Sequence, residues 1–162
     1  MAGRIKSGEG TLIGNAGEYF VMAELLKRGV IAALAPRNAP GFDILATSPE
    51  KTVRIRVKTK TEEYTDWQWS VKKEGSIFRH LQNEGDCTVL VNLTVETRDM
   101  DYFILPTPVL DRWLKDDFDT WLASPGKKGR MHSRDNPKRN LSYSVYEERL
   151  REYRMKWELL WR

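Results

Sequence analysis

The sequence is poor in the residues that build disulfide frameworks and zinc clusters. Its 162 residues include one cysteine, Cys87, and two histidines, His80 and His132. A single cysteine cannot form an internal disulfide. The two histidines have no cysteine or histidine partners at the spacing of metal ligands, so the sequence predicts no zinc site.

Long apolar runs and the common phosphate-binding motifs are also missing. The longest apolar run, Val30 to Ala35, is far too short to cross a membrane, so we expect no membrane partner. The stretch Met1 to Gly10 is polar and predicts a loose tail rather than a secretory signal, which favours a cytoplasmic location. Neither a Walker-type glycine-rich loop nor a nucleophile elbow is present.

The length and charge of the chain are compatible with a small nucleic-acid-binding protein without being diagnostic of one. A chain of 162 residues favours one domain, residues 1–162, with one core. There are 27 lysines and arginines against 23 aspartates and glutamates, a net charge of +4. This excess is mild, so any interaction with nucleic acid must come from local clusters of cations.

The segment from Gly41 to Lys60 predicts a β-hairpin with one basic face. Ser48-Pro49-Glu50 is typical of a turn, and the residues after it alternate strictly between apolar and basic, the pattern of a half-buried strand. Phe42–Ala46 and Val53–Thr59 would pair across the turn. The basic face carries Arg54, Arg56, Lys58 and Lys60. Such a face is either a solvated surface or a phosphate-contacting one.

Asp43 lies at the start of this hairpin and is a candidate metal ligand. If Asp43 and Lys58 share a face, they can lie side by side. A carboxylate beside a lysine suits phosphodiester chemistry, because the acid can hold a divalent cation and the ammonium can steady a phosphate or the attacking water.

A helix is predicted upstream, from Gly14 to Gly29, and it carries two glutamates in different surroundings. Glu24 has Lys27 and Arg28 three and four residues on, which indicates a solvated face. Glu18 instead has Val21, Met22 and Leu25 at helical spacings, so it should lie toward the interior. A buried carboxylate needs a partner. A metal ion and a structural partner such as Arg37 remain equal alternatives.

Together, Glu18 on an early helix, Asp43 at the start of a strand and Lys58 in the next strand resemble the PD-(D/E)XK nuclease superfamily. The resemblance covers residues 14 to 60 best. It implies an α/β domain with a mixed central sheet flanked by helices, the restriction-endonuclease-like core. It also implies DNA cleavage with Mg²⁺ or Mn²⁺ held by Glu18 and Asp43, and with Lys58 acting on the nucleophile or on the developing charge.

Arg56 departs from the superfamily pattern. The third core strand there supplies an acid or glutamine, one residue and then lysine, whereas this chain has Arg56-Val57-Lys58. A guanidinium offers only donors and repels a dication. Either one metal is still held and Arg56 grips a phosphate, or Arg56 pairs with Asp43 and Glu18 in a dead site. A further alternative is that Glu62 or Glu63, which lie just past the strand, supplies the missing metal ligand from a different position.

The remaining elements are predicted more coarsely. Trp67 and Trp69 fall on one face of their strand, and cross-strand packing is favoured over base stacking for both. The predicted strands are Val30–Ala35, Asp66–Lys72, Cys87–Val95 and Asp101–Leu105, followed by a short helix over Pro108–Lys115.

Two segments near the C-terminus are candidates for interactions. Gly126 to Arg139 is predicted to be a basic loop that either tracks a phosphate backbone or is simply solvated. Val145 to Trp161 is predicted to be a helix with an apolar stripe that docks on its own domain, or alternatively forms a homodimer seam. The stripe consists of Tyr146, Leu150, Tyr153, Trp157 and Leu160.

The sequence thus supports two main functions. The first is a metal-dependent DNA endonuclease, and the second is a catalytically degenerate nucleic-acid-binding module on the same scaffold. A protein-interaction domain built around the C-terminal helix is a third hypothesis. The predicted DNA-contacting residues are Arg54, Arg56, Lys60, Lys127, Lys128 and Arg130.

Overall fold

A computed structural model describes residues 10–36, 39, 41–71, 77–78, 81, 83–94 and 96–162. The predicted tail up to residue 9, and the positions of Arg37 and His80, lie outside the described residues. Within the described part of the chain, no helix is long and apolar enough to span a bilayer.

The described elements are three α-helices, seven strands and three short 3₁₀ turns. The helices are α1 (Gly10–Lys27), α2 (Thr107–Ala123) and α3 (Tyr143–Arg151). The strands are β1 (Ile31–Leu34), β2 (Ile44–Thr47), β3 (Thr52–Thr61), β4 (Asp66–Ser70), β5 (Cys87–Leu93), β6 (Asp101–Pro106) and β7 (Lys138–Ser142). The 3₁₀ turns are Thr97–Asp99, Lys127–Gly129 and Trp157–Trp161.

Five of the strands form a mixed central sheet in the order β1-β2-β3-β5-β6. All neighbours in this sheet are antiparallel except β3 and β5, which run parallel. Strands β4 and β7 form a separate antiparallel ribbon. The predicted fold class, an α/β domain with a mixed sheet flanked by helices, is confirmed.

The sheet buries apolar side chains on both faces, which explains why central strand β5 is a nearly continuous apolar run. On one face, helix α1 and the C-terminal turn pack through Val21, Leu25 and Trp157. On the other face, α2, α3 and the β4–β7 ribbon pack through Leu110, Leu150 and further residues. Because both faces of the sheet are covered, a cleft that reaches polar side chains of the strands is expected where two strands separate or where the packed helices and the ribbon end.

Most of the predicted elements are confirmed. The hairpin forms with Ile44 opposite Ile55 and Ala46 opposite Val53. Trp67 and Trp69 are buried, and Trp67 Nε1 donates to the Val91 carbonyl oxygen at 3.0 Å, so the packing interpretation is confirmed.

All three predicted helices have different bounds, and α1 begins four residues before the predicted Gly14 and ends at Lys27 instead of Gly29. Helix α2 runs to Ala123, well beyond Lys115. The continuous helix predicted from Val145 to Trp161 is wrong, because α3 ends at Arg151 and a turn follows in which Met155 has φ 57. This turn pairs with strand β6, since Ile104 N donates to Tyr153 O at 3.0 Å and Met155 N donates to Tyr102 O at 2.8 Å.

Candidate functional site

Asp43 caps the point at which strands β2 and β3 separate. Its backbone N–H still donates to Ile55 O at 2.9 Å, as in a regular pair of strands. Beyond this point the side chain of Asp43, not the backbone of β2, accepts the next hydrogen bond from β3. Asp43 Oδ2 accepts the Val57 N–H at 2.7 Å. The carboxylate thereby satisfies a ladder donor that β2 no longer reaches, which fixes the acid at the end of the strand.

The residue of β3 directly opposite Asp43 is Arg56, and Lys58, expected beside Asp43 if the two share a face, lies two residues further along that same face of β3. Because Ile44 lies opposite Ile55, the next pair outward along the hairpin brings Asp43 to Arg56. Arg56 Nε lies 3.5 Å from Asp43 Oδ2. The side chain of Arg56 is 42% exposed and that of Asp43 is 18% exposed. The guanidinium is therefore accessible while the acid beneath it is mostly covered.

Glu18 reaches the same place from helix α1. A cleft of about 590 Å³ is lined by Glu18, Asp43 and Arg56, together with residues of α1, β1 and the segment after β1. The structure thus brings together in one cleft the two acids that the sequence predicts as metal ligands, and Arg56 lines the same cleft. Glu18 also has interaction partners of its own.

The depth of α1 on the sheet depends on Gly17, which sequence reasoning missed. A Cβ at Gly17 would lie 1.9 Å from Thr59 Oγ1, so only glycine allows the helix to approach β3 this closely. Gly17 directly precedes Glu18 and so sets its distance from the sheet. The signal in the sequence was the pair of glycines at positions 14 and 17 within a helix that is otherwise rich in good helix formers.

Lys58 lies on the same sheet face as Arg56, but it does not line the cleft. Its ammonium lies 5.6 Å from the centre of the Trp69 ring. Burial lowers the pKa of Lys58, and the nearby Arg56 guanidinium lowers it further, whereas Asp43 acts in the opposite direction. Lys58 is therefore within electrostatic reach of the Asp43–Arg56 pair.

The rest of the predicted basic face is occupied by intramolecular partners. Arg54 forms a two-bond ion pair with buried Asp86, at 2.8 and 2.7 Å. Lys60 is only 7% exposed, donates to Asn92 Oδ1 at 2.7 Å and lies 4.9 Å from the Trp67 ring centre. Lys60 therefore cannot reach a phosphate backbone as predicted, because the β4–β7 ribbon covers it. Arg54 is held as a structural cation.

The cleft does not fit a Mg²⁺ or Mn²⁺ ion as it stands. Mg²⁺ takes about six oxygen ligands, and one or two carboxylates with waters are enough to hold it, so what decides the fit is whether both acids of the cleft are free to bind it. One of them, Asp43, already accepts the Val57 N–H and an arginine. No group of three or more histidine, cysteine, aspartate or glutamate side chains able to hold a metal occurs among the described residues. We therefore assign no chemical step to a metal ion.

The predicted basic loop lies at the surface and contains a short turn. Residues 127–129 form a 3₁₀ turn, closed by a hydrogen bond from Gly126 N to Arg130 O at 2.9 Å. His132 stacks on Trp121 of α2, with ring centres 3.9 Å apart. The cations of the loop are exposed, namely Lys127, Lys128 and Arg130. The predicted end of the loop at Arg139 is wrong, because strand β7 begins at Lys138.

No protein family model matches the sequence, and comparison with curated proteins finds no match. The solved structures that are similar in fold include the following two. One is Hjc, a Holliday junction resolvase from the archaeal hyperthermophile Archaeoglobus fulgidus, with 15% identity, a TM-score of 0.46, and coverage of 80% of this chain and 91% of that one. The other is the bacterial homing endonuclease I-Ssp6803I, with 15% identity, a TM-score of 0.48, and coverage of 93% and 90%. At these values neither similarity assigns an activity to this chain.

Proposed function

We propose that this protein is a DNA-binding module on a nuclease-like scaffold, with the Glu18–Asp43 cleft as a phosphate-contacting site. The observation that supports this most directly is the half-exposed Arg56 guanidinium paired with Asp43 at 3.5 Å. An arginine at the mouth of a cleft presents a planar set of donors that matches a phosphate.

A phosphate can take Arg56 from Asp43 at little cost. Partly exposed ion pairs contribute about 0–1 kcal/mol, and Asp43 keeps its hydrogen bond from the Val57 N–H when the arginine turns away. The nearby Lys58 ammonium adds positive charge behind the site, which favours an anion. Asp43 therefore keeps one hydrogen bond when Arg56 turns to an external phosphate.

The basic loop provides a second, independent contact. Lys127, Lys128 and Arg130 are exposed around a concavity of about 500 Å³. Because the loop is closed by its own backbone and braced by His132 on Trp121, these cations are presented with little ordering cost on binding. Cations of this kind track a phosphate backbone without reading its sequence.

The test is the salt dependence of binding to a fluorescent DNA duplex, followed by anisotropy. Binding should weaken steeply as salt rises through counterion release. The triple change Lys127→Ala, Lys128→Ala, Arg130→Ala should lower the slope of log affinity against log salt by up to about 3, since each lost phosphate contact removes about 0.9. Arg56→Gln should lower it by about 1.

A charge-matched control uses three exposed cations outside the cleft and the loop. Arg98, Arg151 and Lys156 are each more than half exposed, and their joint change to alanine removes the same charge as the loop variant. An equal loss of slope in the control would show that net charge alone governs binding. No binding by the wild type at about 50 mM salt, the low end of the range in which such contacts are measured, would exclude the proposal.

Metal-dependent DNA endonuclease is the second candidate function. It is favoured by one arrangement, the meeting of Glu18 and Asp43 in a single cleft with Lys58 close by. Arg56 opposes it, since a guanidinium beside the acid disfavours a dication. The Arg56→Glu variant separates the two candidates, because it supplies an acid oxygen in place of the cation.

A further inference from the structure

A cavity of about 150 Å³ lies between helix α2 and strand β7. Among the described residues, it shares none of its lining with the Glu18–Asp43 cleft. The lining residues of α2 are spaced three and four apart, so they share one face of the helix. They are Leu114, Asp117, Phe118 and Trp121, and the segment opposite contributes Asn136, Lys138, Arg139 and Asn140. Aromatic rings, amides and cations thus meet around one small space.

The aromatic side of this cavity is built from nearly parallel planes. The rings of Phe118 and Trp121 are stacked, with centres 5.4 Å apart and planes 23° from parallel. The guanidinium carbon of Arg139 lies 3.3 Å from the centre of the Phe118 ring, and Arg139 Nη1 donates to two backbone carbonyl oxygens at 2.8 and 2.9 Å. Buried Trp67 instead meets its neighbouring rings edge to face, at 80° and 62°. Half-buried rings with parallel planes suit a planar ligand that stacks on them.

Polar groups around the same cavity can bind the edge of such a ligand. Asn136 Oδ1 accepts the Lys138 N–H at 3.0 Å, and Asn140 Oδ1 accepts from Gln68 Nε2 at 3.0 Å. The bonds described for these two amides thus use their oxygens and leave their N–H donors to a ligand. Asp117 supplies an acceptor. This set of donors and an acceptor matches a nucleobase, whose edge carries ring-nitrogen or carbonyl acceptors beside N–H donors.

Trp121 connects the cavity to the basic loop. Its ring stacks on the ring of His132, with centres 3.9 Å apart and planes at 24°. His132 in turn lines the concavity of the loop together with Lys127, Lys128 and Arg130. One stacked pair is therefore part of both surfaces, so a base in the cavity and phosphates of the same strand on the loop are neighbouring contacts.

We propose that this cavity takes one unpaired nucleobase of a DNA strand whose phosphates lie on the basic loop, a step that rests on the DNA-binding function proposed above. The size favours a single base, because sites for drug-sized ligands have volumes of about 300–1,000 Å³. Asp117 disfavours a phosphate inside the cavity, since like charges repel, so the phosphates stay on the exposed cations. A base within a duplex is paired and stacked, so only a base outside the stack can enter.

The test compares three DNA duplexes of equal length by fluorescence anisotropy. One is fully paired, one carries a single bulged deoxyadenosine, and one carries an abasic residue at the bulge. The ratio of the affinities for the second and third DNA is the base preference, because these two share the same bulged backbone. For the wild type this ratio should be roughly 5-fold or more, the low end of what stacking of one base on an aromatic side chain contributes.

Three variants of the cavity should change the base preference without changing the net charge. Trp121→Ala should reduce it to about 1, and Trp121→Phe should keep most of it because an aromatic face remains. Asn140→Ala should reduce it by roughly 2-fold or more, the size of one hydrogen bond. Asn140 is exposed, so its variant keeps the test decisive even if Trp121→Ala perturbs α2, which circular dichroism would show.

His132→Ala is the matched control, because it removes the same stacked pair from the side of the loop. His132 does not line the cavity. The control should therefore weaken binding of all three DNAs by the same factor and leave the base preference unchanged. A preference that disappears in His132→Ala, or one that survives in both Trp121→Ala and Asn140→Ala, would overturn the proposal.

The paired duplex distinguishes failure of the cavity from failure of the proposed function. A wild type that binds all three DNAs equally would overturn the cavity alone, whereas a wild type that binds none of them would overturn the function on which it rests. Free deoxyadenosine monophosphate should bind much more weakly than the bulged duplex, because it cannot contact the cavity and the loop together. Equal affinity would assign the cavity to a free nucleotide and overturn the proposal.

Discussion

Arg56 Nε lies 3.5 Å from Asp43 Oδ2, and the same Oδ2 accepts the Val57 N–H at 2.7 Å. One carboxylate oxygen thus serves a strand backbone and a cation from the neighbouring strand. The acid stays tied to the fold even when the arginine leaves, whereas the arginine has no second anchor among the interactions described for it. The proposed exchange of the arginine between Asp43 and an external anion therefore breaks one ion pair and leaves the hydrogen bond from Val57 in place.

The first prediction concerns the approach of helix α1 to the sheet. Gly17→Ala should destabilise the protein by about 1–3 kcal/mol, the usual cost of overpacking, because the new Cβ would lie 1.9 Å from Thr59 Oγ1. The displacement of α1 should also move Glu18 away from Asp43. Urea unfolding followed by circular dichroism measures the loss.

Gly14→Ala is the matched control in the same helix. A Cβ at Gly14 meets nothing within 4 Å, so the change should stabilise the helix by up to about 1 kcal/mol. Equal effects of the two substitutions would show that α1 does not pack against Thr59 as described.

The second prediction separates the two roles of Asp43. Asp43→Ala removes the acceptor of the Val57 N–H and should cost about 1–3 kcal/mol, because a buried donor is left without a partner. Asp43→Asn keeps a side-chain oxygen in place and should cost clearly less, although it also ends the attraction for Arg56. Thermal unfolding of the two variants gives the comparison. If they unfold at the same temperature, the hydrogen bond to Val57 does not contribute.

The third prediction concerns the pH dependence of stability through Cys87. Burial raises the pKa of this thiol from its ordinary 9.0 to about 11, an effect that Lys51 opposes. The unfolded chain loses this proton above pH 9 while the folded chain keeps it, so the thiol's contribution to stability is complete below pH 9 and is lost as pH rises toward 11. A change of this size corresponds to on the order of 2–3 kcal/mol.

Comparison with Cys87→Ala isolates the thiol from other groups that titrate at alkaline pH. The free energy of unfolding of the wild type should fall between pH 9 and 11 more steeply than that of the variant. Tyr102 also titrates at alkaline pH, but it is present in both proteins, so the difference between the two slopes comes from Cys87. The native thiol should also react slowly with alkylating reagents at pH 8. Rapid alkylation of the folded protein, or equal slopes in the two proteins, would contradict this prediction.

The hairpin could be predicted from sequence because its alternation of apolar and basic residues is a local signal. Its register could not, since the alternation is satisfied by more than one pairing, and only the register decides that Arg56 rather than Lys58 neighbours Asp43. The burial of Lys60 was equally out of reach, because the ribbon that covers it includes β7, some 80 residues further along the chain.

The prediction of one continuous C-terminal helix was wrong because of contacts between segments that are distant in the sequence. Its apolar stripe was real, since Tyr146, Leu150, Trp157 and Leu160 are buried. The backbone at Tyr153 and Met155, however, pairs with strand β6 instead of continuing the helix. Tertiary hydrogen bonds thus override helix propensity there. Because Tyr146, Leu150, Trp157 and Leu160 are buried within the domain, they are not available for a homodimer seam on the C-terminal segment.

The final prediction concerns catalysis, where Arg56 opposes the two acids of the cleft. The wild type should cleave DNA weakly or not at all with Mg²⁺ or Mn²⁺, and calorimetry should detect little metal binding. Arg56→Glu should raise both, because it adds a third carboxylate and removes a cation whose repulsion of a dication at ~4 Å is about 8 kcal/mol at an effective dielectric of ~20. The gain should vanish when Asp43→Ala is added.

Arg56→Gln shows which of these two effects matters. It removes the charge and supplies a neutral oxygen, so a gain equal to that of Arg56→Glu would identify repulsion as the barrier, and a smaller gain would identify the missing ligand. A wild type that cuts well and loses activity in both variants would make Arg56 a phosphate clamp within a working site. If no form cuts and none binds metal, the endonuclease candidate fails and DNA binding remains as the function of the cleft, since retention of a phosphate by Arg56 requires no metal ion.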